Sequence, residues 1–330
     1  MLKPTIWHIM SKLGEGQSAI VYKVRSSETQ NEYAAKVTIS ATDKSLILEA
    51  DIHNKLSHPC ILQFITSFYG RIEDNSIIEV SDDNIANRYV IVLELCDKNL
   101  SAESKARHLS ENDLIVIFSR LLEVIVYLKE KGVVHADIKP DNIIMCGGVP
   151  KLADFGLAHW ISEKVRKLKG TAYHVAPEIW QLKEYSNKSD IWALGVTLYR
   201  IKIGRAPFNA ILGTTDEKLV RKQLTNAIKT ETPYIPRDTS KLLGALLLRM
   251  LEKDPNLRPS ADELLKDPFF TPAPKIEKIP NFDIRLIKMR QDKADFGEGT
   301  MDQFYIYLAD QVPDKPMMSR QEFIELYNRL

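Results

Sequence analysis

Apolar and polar residues alternate, or β-branched residues cluster, in several short N-terminal segments: IVYKVRS, EYAAKVTI and RYVIVLELC each read as strands. The period changes once among them. In KSLILEADIHNKLSH, Leu46, Ala50, His53 and Leu56 fall near one face and Thr42 or Asp43 can cap the start, which predicts a helix. RIEDNSIIEVSDDNIANR reads as an acidic hairpin or loop before the last strand. From residue 110 the pattern turns mainly helical, beginning with SENDLIVIFSRLLEVIVYLKEKG, where Ser110 is a cap and Gly132 a stop. The expected class is therefore α+β, a sheet-rich lobe followed by a helical one. DPFFTPAPKIEKIP closes the second lobe, and residues after about 271 form a separate tail. In that tail Met301, Phe304, Tyr305 and Leu308 share a face, as do Phe323, Leu326, Tyr327 and Leu330. With Ser319 and Glu322 as a capping box, they predict two short helices that dock on a lobe or on a regulatory partner.

Composition narrows the function classes. With 330 residues and 44% apolar content the chain can fill real cores, and its 45 Lys and Arg nearly cancel 44 Asp and Glu. No global charge points to nucleic acid or to an anionic membrane surface. Cys60, Cys96 and Cys146 stand apart, without the paired spacing of a zinc site or a disulfide framework, so free thiols in a reducing compartment are expected. The long apolar run LIVIFSRLLEVIVYL is interrupted by Ser119, Arg120 and Glu123, and the N-terminus lacks a signal-peptide order. A soluble, non-secreted, cytoplasmic protein is expected, with the nucleus left open.

Several stretches carry chemistry. LGEGQSAIVYKV places Gly14 and Gly16 in a turn after a strand, where backbone N–H groups can approach phosphate oxygens. A dinucleotide fold would need a helix next, whereas AIVYKV reads as another strand. Lys36, inside the apolar strand YAAKVTI, needs an anionic partner, and Glu49 on the following helix can supply one. In HADIKPDN, Asp137 can accept the proton of an attacking hydroxyl and Lys139 can neutralise charge on a transferred phosphoryl group. Asn142 can give an oxygen to a metal. In KLADFGLA, Asp154 ends a short apolar strand, where a hard carboxylate can bind the Mg²⁺ that bridges nucleotide phosphates.

In this order GEGQSA, AAK, HADIKPDN, DFG, GTAYHVAPE, SDIWALGVTLY and DPNLRPS resemble the eukaryotic protein kinase family, over residues 7 to about 270. IKPDN with GTAYHVAPE is similar to its serine/threonine branch, in which Lys139 and Thr171 flank the catalytic aspartate. GVTLYRIKIGRAPFNA resembles the inhibitor-of-κB kinase group and the lysine-rich activation segment resembles polo-like kinases, which leaves the subfamily unassigned. The resemblance implies a bilobal fold: residues 1–94 as a β-rich N-lobe with one main helix, 95–270 as hinge and mostly helical C-lobe, and 271–330 as the tail. It implies ATP and Mg²⁺ as cofactors and a protein as substrate. Glu94 and Cys96 would be the hinge whose backbone meets adenine, Leu93 the gatekeeper, and Val21, Ala34 and Ile144 the sandwich around the ring. Asp190 would anchor the catalytic loop and Glu178 would pair with Arg258.

An active serine/threonine kinase is the leading reading, because the glycine loop, Lys36, Asp137, Asn142 and Asp154 are all present. The alternatives are a pseudokinase scaffold, which would lack one of these groups, and a small-molecule kinase, which would not need GTAYHVAPE. One departure stands out. Regulated relatives carry an arginine where this chain has Ala136, and from Asp154 to Gly170 the only hydroxyl is Ser162. Activity without activation-segment phosphorylation is the expectation. Arg200, Lys202 and Arg205, after the docking helix, predict a substrate preference away from arginine-rich peptides.

Overall fold

Alternation in the N-terminal strands becomes a closed barrel. In the computed structural model, residues 5–16, 18–40, 45–80, 87–163, 172–181, 184–208 and 217–270 are described. The strands are β1 (Ile6–Glu15), β2 (Ala19–Ser26), β3 (Glu32–Thr38), β4 (Phe64–Glu73), β5 (Ser76–Glu79) and β6 (Arg88–Glu94), with helix α1 (Ser45–His53) between β3 and β4. Their order around the barrel is β1-β2-β3-β6-β4-β5. Closure is made by β1 on β5 at Ile6, Trp7 and His8. Val24, Ala35, Val37, Val90 and Val92 point inward from alternate positions and pack with Trp7, Phe68 and Ile77. β1 is bulged between Ile9 and Ser11 and between Lys12 and Gly14, which bends it as it enters the glycine turn. The first part of the acidic segment belongs to the β4–β5 hairpin, turned by Asp74 (φ 41°) and Asn75 (φ 62°), residue types that accept left-handed backbone, while residues 81–86 lie outside the described ones.

The faces predicted for α1 are the buried ones: Leu46, Ala50, His53 and Leu56 are all inside. The helix is shorter than its pattern. It stops at His53, after which a turn carries the chain to Ser57, whose N–H donates to the Tyr127 hydroxyl at 2.8 Å. β6 likewise ends at Glu94 rather than running through Cys96, since the chain there leaves the barrel for a short strand, β7 (Lys98–Asn99).

The helical part begins with α2 (Leu100–Ala106) and α3 (Glu111–Glu130). Ser110 and Asp113 form a reciprocal capping box at the start of α3, and Gly132 follows its end at φ +68°. Leu114, Phe118, Leu121, Leu122, Ile125 and Leu128 line its buried face, each contributing about 1.5–3 kcal/mol of apolar burial. The short strand β8 (Val133–Val134) and the hairpin of β9 (Ile143–Cys146) and β10 (Val149–Leu152) follow, then β11 (His159–Trp160), which pairs with β8. α4 (Pro177–Trp180), α5 (Asn187–Ile203), α6 (Glu217–Thr230), α7 (Lys241–Met250) and α8 (Ala261–Leu264) complete the described elements. α5 and α7 pack so closely that a Cβ on Gly195 would stand 2.8 Å from the Met250 Cβ. Arg258 is wholly buried and donates to both Glu178 oxygens at 2.8 and 2.9 Å, the pairing expected between α4 and the end of the chain's helical part.

Among the described residues no helix is long and apolar enough to cross a membrane. The chain divides into two units, Met1–Lys275 and Ile276–Leu330. The tail helices, the Thr42 or Asp43 cap, the KVRKLK run and Thr171 lie outside the described residues.

Candidate active site

Lys36 lies mid-strand in β3, opposite Val21 of β2 and Ile91 of β6, so its ammonium leaves the sheet beneath the glycine turn. Its Nζ donates to both Glu49 oxygens and to Asp154 Oδ1, each at 2.7 Å. The lysine side chain keeps 17% of its exposure and Asp154 43%, while Glu49 is buried. Burial alone would lower the lysine pKa, yet the two carboxylates outweigh it and the pKa is raised. Burial pushes Glu49 up against the pull of Lys36. For Asp154, which burial would also push up, Lys36 wins and the pKa is lowered. The cation thus stays charged between one sheltered carboxylate and one that faces outward. Gly156 makes this approach fit: a Cβ there would meet Glu49 Oε2 at 3.1 Å and Asp154 Oδ1 at 3.3 Å.

The loop after β8 is fixed from below. Asp190, fully inside, accepts the His135 and Ala136 amide N–H groups, both at 2.9 Å. That pair of bonds holds Ala136 at φ +64°, a left-handed backbone that costs a non-glycine residue about 1–2 kcal/mol. The result is a loop that presents Asp137. Its Oδ2 accepts from Lys139 Nζ at 2.6 Å and from Asn142 Nδ2 at 3.0 Å. Because the Asn142 amide nitrogen also donates to the Asp137 carbonyl at 2.9 Å, its side-chain oxygen is the atom turned to a cation. On Asp154, Lys36 occupies Oδ1 and Oδ2 carries no hydrogen bond among the described residues. The Ala153 N–H donates to the Asn142 carbonyl at 2.8 Å, which ties Asn142 to the residue before Asp154, and an amide oxygen with a carboxylate oxygen is a hard donor set of the kind that suits Mg²⁺.

Two histidines that sequence reasoning left without a role tie this loop to α1. Phe155 lies between His53, at 4.7 Å between ring centroids, and His135, at 4.9 Å. His53 Nε2 donates to the Leu62 carbonyl at 2.7 Å and His135 Nε2 to the Ala153 carbonyl at 3.1 Å. The Asp137 N–H donates to His135 Nδ1, so that ring is neutral, in line with the burial that lowers its pKa. Glu49 and His53 are one helical turn apart. α1 therefore fixes Lys36 with one residue and the ring beneath Asp154 with the other. The signal was available in the sequence as the i, i+4 spacing of Glu49 and His53.

The expected nucleotide-binding residues border one region. Nothing lies within 4 Å of a Cβ placed on Gly14, and on Gly16 it would meet only the Ala19 carbonyl at 3.7 Å. Neither glycine is required by internal packing, so the space above the turn is open to a ligand. Ala34 and Ile144 pack with Leu93 and Cys96 in one cluster, and Val21 stands on the strand next to Ala34. The Glu94 side chain is engaged in addition to its backbone: Lys151 Nζ donates to both oxygens at 2.6 and 2.7 Å and the Gln63 N–H to one at 2.6 Å. Its own N–H donates to the Gln63 carbonyl at 3.0 Å.

One expectation is overturned. Cys96 and Cys146 are joined in a disulfide, Cα–Cα 4.9 Å, and only Cys60 is a free thiol. Sequence spacing could not reveal the pair, because the chain leaving β6 is brought against β9 only by the fold.

With the geometry in place, comparison with known proteins gives the class. The protein kinase domain family matches residues 7–270. The chain is 32% identical to calcium-dependent protein kinase 29 of Arabidopsis thaliana over 297 residues, 88% of this chain and 53% of that protein. It is 30% identical to serine/threonine-protein kinase Nek11 of Homo sapiens over 294 residues, 85% of this chain and 42% of that protein. To serine/threonine-protein kinase PLK1 of Xenopus laevis it is 28% identical over 280 residues, 81% of this chain and 43% of that protein. The chain spans about half the length of these curated relatives. It belongs to the protein kinase family, of serine/threonine type, and its fold is the bilobal α+β fold of that family.

Proposed function

We propose that the chain is an ATP-dependent serine/threonine protein kinase that transfers the γ-phosphoryl group of ATP to protein hydroxyls without needing a phosphate on its activation segment. The observation that carries the reading is the convergence of Lys36 on Glu49 and Asp154, beside Asp137 with its two side-chain donors. A scaffold has no use for that set. In this reading Asp137 takes the proton of the substrate hydroxyl and Lys139 offsets charge on the transferred group. Lys36 orients the nucleotide phosphates, and Gly14 and Gly16 let backbone N–H groups approach them. Asn142 and Asp154 hold Mg²⁺, which when bound neutralises charge on the phosphate oxygens. The test is a transfer assay with γ-labelled ATP and a generic protein. The wild type labels the protein and Asp137→Asn, with unchanged melting, does not. Equal turnover in the two would refute the assignment of this loop.

Independence from phosphorylation is supported at Ala136. Its backbone is pinned by Asp190 and its methyl side chain packs against the core, so position 136 itself presents no cation to a phosphate. Ser162, the nearest hydroxyl after Asp154, is exposed in a single 3₁₀ turn. We expect phosphatase-treated protein to keep its activity and Ser162→Ala to be nearly silent, while Ala136→Arg makes activity depend on added phosphate. A tenfold fall on phosphatase treatment, about 1.4 kcal/mol in the barrier, would refute this. Cytoplasmic residence and a regulatory partner at residues 271–330 belong to the same proposal, carried by composition and by the two apolar faces of the tail. Deletion after residue 275 that changed neither melting nor partner binding would remove the second.

A further inference from the structure

The disulfide stands where the two halves of the fold meet. Cys96 lies two residues beyond β6, packed on the cluster that holds Ala34, Leu93 and Ile144. Cys146 is the last residue of β9, the strand that carries Ile144. The bond therefore joins the connecting segment to the floor of the expected adenine site, across 50 residues of chain. Neighbouring contacts reinforce the same junction. Glu94 is paired with Lys151 of β10, the Asp97 N–H donates to the Met145 carbonyl at 3.3 Å, and Lys98 pairs with Met145 in the sheet. Cys96 is thus one of four anchors, at residues 94, 96, 97 and 98, that fasten the connection to the β9–β10 hairpin.

The three cysteines are not equivalent. Cys60 is buried and burial pushes its thiol up to about 11, which suppresses the thiolate needed for exchange. Cys96 and Cys146 both keep partial exposure, so small thiols can reach them. A metal is the other ligand that this corner could suggest, because donor atoms of Glu94, Cys96 and Cys146 lie within 4.8 Å of one another. The carboxylate is already taken, however: Lys151 bonds both of its oxygens, and that ammonium would repel a dication.

We propose that Cys96 and Cys146 form a reversible redox modification site of the nucleotide pocket, oxidised by small disulfides such as glutathione disulfide and reduced by small thiols. The inference rests on the nucleotide-binding reading above. In the forward direction one cysteine thiolate attacks a sulfur of glutathione disulfide, its S–S bond breaks, and one glutathione thiolate leaves. The second cysteine thiolate then attacks the protein sulfur of the mixed disulfide and expels the other glutathione. Two electrons pass to glutathione disulfide, and the two protons released by the cysteines end on the two glutathione thiols. In a reducing compartment the pair would rest as thiols and close under oxidation, which reconciles the bond with cytoplasmic residence.

The consequence follows from where the cross-link sits. On this proposal, nucleotide release involves movement of the barrel against the helical part about the connecting segment. With the bond closed, such movement is restrained at Cys96 as well as at its three neighbouring anchors. Oxidised protein should therefore release nucleotide more slowly, and turnover should fall with it.

The experiment uses the full chain equilibrated with glutathione disulfide or with dithiothreitol. Thiols are counted after denaturation, and release of a fluorescent ADP analogue is followed by stopped flow. The chain has three cysteines, so one thiol is expected after oxidation and three after reduction. Release is expected to be at least fivefold slower in the oxidised wild type, dithiothreitol should reverse this, and Cys146→Ser should behave as the reduced wild type under both conditions. Three thiols after oxidant, equal release rates in the two states, or a Cys146→Ser variant that still slows with oxidant would each overturn the proposal. Failure of the analogue to bind in either state would instead overturn the nucleotide reading on which it rests, and the thiol count separates the two failures.

Discussion

Asp190 gives the sharpest test of how this site is held, because its contribution to stability should depend on pH while its contribution to turnover should not. The carboxylate is buried beneath the catalytic loop and accepts the N–H groups of His135 and Ala136. Burial raises its pKa from 3.8 to about 7, although both backbone donors oppose the shift. The unfolded chain therefore releases this proton at a lower pH than the folded chain does. Stability contributed by the bound proton is complete below about pH 4 and is lost as pH rises through about 7, a swing on the order of 4 kcal/mol. Asp190→Asn removes the titration at constant shape, and it also loses one charge-assisted hydrogen bond, about 1.5–3 kcal/mol. At pH 8 the two effects nearly cancel or favour the variant, whereas at pH 5 the variant should be the less stable of the two. Catalysis should respond differently. An amide offers one oxygen to two N–H donors, so the loop loses an anchor at Ala136 or His135 and turnover should fall at least tenfold at every pH. Urea denaturation between pH 5 and 8, with transfer assays on the same samples, measures both. Parallel stability curves for wild type and variant across that range would refute the reasoning, as would wild-type turnover.

Three further outcomes follow from the same coordinates. Glu178→Ala leaves the wholly buried Arg258 guanidinium without its carboxylate and should cost about 3–5 kcal/mol in denaturant unfolding; a loss below about 1 kcal/mol would contradict the pairing. His53 is buried with its pKa lowered to about 4, chiefly by burial, so the unfolded chain takes up the proton first as pH falls below about 6.5. Stability should drop by about 2 kcal/mol by pH 5, and His53→Gln should flatten that part of the curve; an unaltered curve would refute it. Among the described residues no carboxylate pairs with Arg200, whose charge, after burial, is the next cause of the lowered pKa of His174 beside the loop. A positional peptide library should favour acidic residues upstream of the acceptor, Arg200→Glu should reverse the preference, and selection of arginine by the wild type would sink the prediction.

What the sequence made legible was local or periodic. The alternation around Ala35 and Val37, the Ser110 cap, the Gly132 stop and the buried face of α1 follow from rules that span a few residues. Lys36 with Glu49 was legible for a different reason: a cation within an apolar strand demands a partner, and the next helix offers one at the right face. Contacts that depend on the packing of distant elements were not legible. Glu94 with Lys151 and Cys96 with Cys146 join β6 and its exit to the β9–β10 hairpin, and neither β6 nor the hairpin carries a periodic signal naming the other. Cys96 and Cys146 were expected as free thiols and no partner was assigned to the Glu94 side chain, because a carboxylate can be solvated and a cysteine free until a partner is placed a few ångströms away. The same reasoning explains why the overturned expectation falls at the junction of the two lobes. Apolar packing joins the lobes there too, through Ile52, Leu56 and Ile61, but the connecting segment after β6 is fastened to the β9–β10 hairpin by a handful of polar and sulfur contacts. A segment held in that way can be altered by breaking one bond, which no core residue here allows, and that is why the redox proposal belongs to Cys96 and Cys146 rather than to the buried Cys60.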